Sequence, residues 1–243
     1  DLRLTRCRIA MPTIFEAQMG GEIYGLPVMR DVEMLLQLDA MVHRSDYLET
    51  LLFSRQARRI TLPWDVKLTG FLAYTADSMG AQVQADYDGG LVDISACYRP
   101  YGESYAVHLR VDTLDMHRIL PDEDLGRVTL QASVEGAGME MFSEQSNIAC
   151  RIHIDSVVWA HRAYTNAYLS ASLYGRHLQL EAEYADTLLH MHCEGAGGYS
   201  DGALYADLQM QVYDMHLLGL GVTDRDIRPS FHSRWELEGS LSD

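Results

Sequence analysis

Strict alternation of apolar and polar residues recurs along this chain and constrains its fold more than any other feature. Val66, Leu68, Leu72 and Tyr74 fall on one side of an extended segment, and Val92, Ile94, Ala96 and Tyr98 repeat the pattern. Tyr105, Val107, Leu109 and Val111 oppose Ala106, His108 and Arg110, while Val128, Leu130, Ala132 and Val134 oppose Arg127, Thr129, Gln131, Ser133 and Glu135. Ile148, Cys150, Ile152 and Ile154 do the same, as do Leu178, Leu180, Ala182 and Tyr184. Leu189, Met191 and Cys193 alternate with His190, His192 and Glu194, and Leu204, Ala206, Leu208, Met210 and Val212 have mostly polar neighbours. Successive side chains of a strand point to opposite faces, so each segment is oily on one side and wet on the other.

The connections are short. Asp88-Gly89-Gly90, Pro100-Tyr101-Gly102-Glu103, Tyr174-Gly175-Arg176 and Ala185-Asp186 are turn signals between strands. Loops of this length join antiparallel neighbours, because parallel strands need a long crossover. Helical signals are few: Ser45-Asp46 is a cap for a short helix near 46–56, and Leu114–Leu120 and Leu217–Gly221 have room for a turn. The expected fold is all-β, a long antiparallel meander curled into an open hydrophobic groove, with one or two short helices.

Asp115-Met116-His117 follows a strand and leads into Ile119-Leu120, and Asp214-Met215-His216 follows another and leads into Leu217-Leu218. Such an echo predicts repetition. The expected organisation is a groove segment over 1–61, β repeats over 62–121 and 122–221, and the start of further strands over 222–243. Both ends read as strands, so the chain is expected to be a segment of a longer polypeptide.

Composition narrows the function. Hydrophobic residues make up 47% of the 243, and 35 acidic against 19 basic residues give a formal charge of −16. That charge argues against nucleic acid, whose phosphates need a basic footprint. No run reaches the ~18 apolar residues of a membrane helix. Cys7, Cys97, Cys150 and Cys193 contain no CxxC pair and sit within strand patterns, where cysteine acts as a small apolar residue. No nucleophile elbow, zinc-protease, P-loop or dinucleotide motif occurs in a fitting context. His190, His192 and Glu194 have metal-ligand spacing on one strand face, but the apolar set between them makes that face the solvated one. The two Asp-Met-His triplets resemble acid–base pairs, yet their position at strand ends favours turn or cap roles. No catalytic residue, metal or cofactor is expected.

A sheet apolar on one side must be covered by a second sheet, by barrel closure, by membrane lipid or by a ligand. The open groove holding a ligand fits the repeats, the strand-like ends and the scarcity of helix. Its expected lining is Val66, Leu68, Leu72, Tyr74, Val92, Ile94, Tyr98, Val107, Leu109, Val128, Leu130, Val134, Ile148, Ile152, Leu178, Leu180, Leu189, Met191, Leu204, Leu208 and Met210. The 12 methionines include Met34, Met191 and Met210 on apolar faces, where flexible thioethers suit varied acyl chains and equally suit ordinary packing. Head-group selectivity is expected to be weak.

Several loose motifs carry a family resemblance: Leu62-Pro63 before Leu68-Thr69-Gly70, Asp88-Gly89-Gly90-Leu91, Glu103-Ser104-Tyr105, and Ile119-Leu120-Pro121 before Leu125-Gly126. Glu135-Gly136-Ala137-Gly138 and Tyr164-Thr165-Asn166 before Leu169–Leu173 add to it. With these the chain resembles the TamB proteins (translocation and assembly module) of the AsmA-like group, in their Bacteroidetes-type form. The resemblance implies a curled sheet with a hydrophobic interior, set in the periplasm and anchored at the inner membrane. It implies carriage of phospholipid between the inner and outer membranes, with acyl chains as ligand. An outer-membrane assembly-barrel protein is the implied partner of regions outside this chain. Two alternatives stand beside lipid carriage: a module binding nascent β-strands through sheet edges, and a structural β-sandwich without ligand.

Overall fold

Fourteen strands account for nearly all the regular structure in the computed structural model, which describes residues 1–11, 13–26, 31–44, 64–121, 123–138, 143–200 and 203–240. They are β1 (Leu2–Met11), β2 (Phe15–Tyr24), β3 (Glu33–Val42), β4 (Val66–Tyr74), β5 (Met79–Tyr87), β6 (Gly90–Arg99) and β7 (Ser104–Asp115). There follow β8 (Leu125–Ala137), β9 (Asn147–Trp159), β10 (Arg162–Tyr174), β11 (His177–Ala185), β12 (Leu189–Ser200), β13 (Ala203–Met215) and β14 (Phe231–Ser240). All belong to one sheet in sequence order, from β1 at one edge to β14 at the other. Pairing is antiparallel from β1 through β6 and from β10 through β14. The fold is thus the open all-β meander that the alternation predicts.

Local chemistry explains the turns. Asp88 and Gly89 both take positive φ (41° and 80°), as a two-residue hairpin turn requires if it is to match the strand twist. The β11–β12 turn is held by Asp186, whose Oδ1 accepts from Leu188 N (2.7 Å) and Leu189 N (2.8 Å). Asp115 caps a single 3-10 turn over Met116–Arg118, its side chain accepting from His117 N at 3.2 Å. The second triplet runs into a comparable turn, with Leu220 N donating to His216 O. There Asp214 instead pairs with Arg228 (3.3 Å). The expected helix near 46–56 lies outside the described residues, as do Leu62 and Pro63.

The chain divides into two compact units. Unit 1 comprises 1–101, 105–131 and 157–163; unit 2 comprises 102–104, 132–156 and 164–243. Within unit 1, β1 shifts register between Leu4 and Cys7. Thr113 takes φ 50° inside β7, its hydroxyl donating to Gly89 O (3.0 Å). Within unit 2, register shifts between His190 and Met191, and Asn166 takes φ 55° inside β10. Such irregularities raise the local twist of a strand.

The core is sparse. Among the described residues, the buried hydrophobics are Val32, Val42, Val111, Leu114 and Val128 in unit 1 and Leu173 and Val212 in unit 2. The buried polar Ser146 of unit 2 is satisfied, its hydroxyl donating to Ser143 O (2.7 Å) and lying 3.0 Å from Gly175 O.

Candidate functional site

Directly opposed residues of antiparallel strands share a face, so the register maps each face of the sheet residue by residue. In unit 1 the partners align in rungs running from β1 to β6. The first is Leu2, Ile23, Met34, Tyr74, Met79 and Tyr98; the second is Leu4, Gly21, Leu36, Leu72, Ala81 and Ala96. The third is Cys7, Met19, Leu38, Gly70, Val83 and Ile94; the fourth is Ile9, Ala17, Ala40, Leu68, Ala85 and Val92. The fifth is Met11, Phe15, Val42 and Val66 on β1 to β4, with Tyr87 opposite Gly90 on β5 and β6. None of these residues is charged. At ~4.8 Å between strands and ~3.4 Å per residue, the face measures about 24 by 27 Å.

The other side of the same strands is polar. Arg3 pairs with Glu22 (3.2 Å), Arg8 with Glu16 (2.8 Å), and Gln82 bonds Asp93 (3.1 Å). Leu35, Met41, Phe71 and Leu91 are large apolar residues there, Leu35 and Phe71 at 57% and 46% exposure.

Unit 2 repeats the arrangement. Its rungs from β10 to β14 are Leu173, Leu178, Gly197, Ala206 and Leu237, then Ala171, Leu180, Gly195, Leu208 and Trp235. Next come Leu169, Ala182, Cys193, Met210 and Ser233, then Ala167, Tyr184, Met191, Val212 and Phe231. Ser233 is the hydroxyl interruption, and its buried Oγ has no hydrogen-bond partner. Opposite lie Glu181 against Glu194 and Glu183 against His192, with Arg234 bonded to Asp207 at 2.6 Å.

The apolar faces are incompletely covered. Leu72, Met79, Val83 and Ile94 of unit 1 are 43%, 42%, 40% and 44% exposed, and Trp235 and Leu237 of unit 2 are 49% and 57% exposed. A facing second sheet would bury such residues. Coverage in unit 1 is graded along β4 to β6, while β1 stays exposed at Ile9 (55%) and Met11 (50%). At the fifth rung Val42 is buried, and so is Gly90, where an added Cβ would stand 3.0 Å from Leu114 Cα. The first three rungs of β4 to β6 are the open ones.

Val66, Leu68, Leu72, Tyr74, Val92, Ile94 and Tyr98 all lie on the unit 1 face. Leu178, Leu180, Met191, Leu208 and Met210 lie on the unit 2 face; Leu189, opposite Met215, and Leu204, opposite Tyr199, hold matching register positions. On β7 to β9, Val107 is exposed, Leu109, Leu130, Val134, Ile148 and Ile152 are half-buried, and Val128 is buried. The expected lining names no residue of β1 to β3, β5, β10 or β14, although both ends read as strands and Met34 of β3 falls on an apolar face. In β1 the register shift breaks the alternation, and in β3 the run Met34-Leu35-Leu36 conceals which leucine points where.

The polar side carries the residues with metal-ligand spacing. His190, His192 and Glu194 lie there, with His190 stacked near Tyr213 (ring centroids 4.7 Å) and 4.0 Å from Glu183. Among the described residues, no group of three or more His, Cys, Asp or Glu is placed to hold a metal ion. A polar cleft of about 490 Å³ is lined by Ser170, Ser172, Gln179, Glu181, Glu194, Asp207 and Gln209, among others. On the apolar face, burial and then the hydrogen bond to Asp186 push the Tyr184 hydroxyl well above its ordinary pKa. It stays protonated through the physiological range, so this carboxylate-bonded tyrosine adds no charge to the face.

Among the described residues, no helix is long and apolar enough to cross a membrane. The chain matches no family model, no curated protein and no solved structure.

Proposed function

We propose that this chain is a lipid-carrying segment whose apolar sheet faces hold acyl chains, as part of a TamB-like protein moving phospholipid across the periplasm. The observation that carries the reading is the unit 1 face: six strands whose facing residues carry no charge, open to solvent along the first three rungs of β4 to β6. An exposed apolar surface of this extent is an aggregation hazard unless something covers it. Covering one methylene fully is worth ~0.8 kcal/mol, so even partial coverage of a long tail amounts to several kcal/mol. Because neighbouring rungs are chemically alike, moving a tail from one to the next costs little.

The test is lipid recovery. Purified protein is extracted and its lipids are quantified by mass spectrometry, alongside Val83→Asp, Ile94→Asp, Leu130→Asp and Leu180→Asp. Val83 and Ile94 are already exposed, so charging them leaves the fold least disturbed. Lipid on the wild type and its loss from folded variants is the expected result. Folded variants retaining as much lipid as the wild type would end this reading, as would a wild type that takes up none from vesicles.

A further inference from the structure

The unit 1 face has a direction, and that direction bears on which lipids it accepts. Resting on the lipid-carrying reading, we propose that diacyl lipids lie on this face tail-inward from the end carrying Tyr74, Met79 and Tyr98, and that zwitterionic head groups are favoured there over anionic ones.

Three observations combine. First, coverage is graded on β4 to β6: these strands are open at Met79, Leu72, Val83 and Ile94, half-buried at Leu68, Ala85 and Val92, and buried at Gly90, whereas edge strand β1 stays exposed at Ile9 and Met11 and Val32, just before β3, is buried. A tail therefore has room along the first three rungs and meets packed side chains at the fifth. One leaflet's tail spans about 15 Å, half of a ~30 Å hydrocarbon core. Three rungs at two residues per step cover a similar length, ~14 Å. A head group belongs just beyond the first rung.

Second, that rung offers a polar handle. Tyr74 and Tyr98 flank Met79 on adjacent strands of the same face, about 10 Å apart at the ordinary strand spacing. Tyrosine presents an apolar body with a hydroxyl tip, the combination found where hydrocarbon meets water. Their hydroxyls can donate to ester or phosphate oxygens without adding charge.

Third, the charge at this end is mostly negative. The described strand ends and turns carry exposed Asp31, Glu33 and Asp77 against the exposed guanidinium of Arg99, while Arg3, one residue further in, is already paired with Glu22. The whole chain carries −16. A phosphate with a tethered ammonium presents its cation to these carboxylates. A head group with net negative charge meets repulsion from these carboxylates, and among the described residues the guanidinium groups near it are Arg99 and the Glu22-paired Arg3. The weak selectivity expected from a smooth apolar face is thereby refined: indifference to tail, discrimination by head-group charge.

The experiment incubates the full chain with vesicles holding equal amounts of a zwitterionic and an anionic phospholipid with identical tails. Total bound lipid and the ratio of the two are measured at low and high salt. The expected ratio is about three- to fivefold in favour of the zwitterionic lipid at low salt, the scale of one nearby unit charge in water, shrinking at high salt. Glu33→Lys with Asp77→Lys should move the ratio toward the anionic lipid with total binding unchanged. Equal or inverted uptake by the wild type, or a ratio unmoved by the charge reversal, overturns the proposal while leaving lipid binding standing. Absence of any bound lipid overturns both.

Discussion

Single residues on the polar side fasten the strands, and their contributions are modest. The hydrogen bond from Arg234 holds the Asp207 carboxyl below its ordinary value. A carboxylate depressed in this way adds stability above its unfolded pKa and loses it as pH falls through the lowered value, so the β13–β14 edge should loosen in acid. Arg234→Ala should return the Asp207 titration to the ordinary range, followed by NMR, with only a small stability change because the pair is exposed. The Asp186 side chain works harder, serving two backbone donors in one turn. Asp186→Ala should cost about 1–2 kcal/mol in denaturant unfolding. Ser233→Ala removes a buried hydroxyl that has no hydrogen-bond partner among the described residues and should raise stability by about 1 kcal/mol.

At the level of strands, open and packed positions on the apolar faces should answer differently to mutation. Ile94→Ser, at an exposed position, should change stability by less than about 1 kcal/mol, while Val212→Ala, at 1% exposure, should cost roughly 2 kcal/mol. Similar losses at both sites in denaturant titrations would mean that Ile94 is covered in solution. Gly90→Val should also destabilise, by about 1–3 kcal/mol, because its side chain meets Leu114 at the packed end of the unit 1 face. Much of this was legible in the sequence. Val66 to Tyr74, Val92 to Tyr98 and Leu178 to Tyr184 alternate cleanly, so periodicity alone assigns their faces. β1 reads as a strand, but its faces were not legible because the register shift puts Leu4 and Cys7 on one face despite their odd spacing. β5 hid behind the small residues Ala81 and Ala85, and β14 behind Ser233. The graded coverage of the unit 1 face depends on Gly90 meeting Leu114 across intervening sequence, which no local pattern encodes.

For the molecule as a whole, a ligand that covers the apolar faces must stabilise the folded state by mass action. The midpoint of thermal unfolding should therefore rise with the concentration of a single-chain zwitterionic amphiphile held below its micelle threshold, and Ile94→Asp should blunt that rise. Strand order carries a consequence of its own. Each strand pairs with its neighbours in sequence, with no strand of the sheet held back for a later segment. Contacts of this kind keep loop-closure entropy low and favour rapid propagation from any formed hairpin. Such a chain can fold as it is threaded through a narrow exit, every arriving segment finding a ready template in the one before. Lengthening it by one hairpin leaves all earlier pairings intact, so evolution can adjust its reach in increments of about 10 Å without redesigning what is already built.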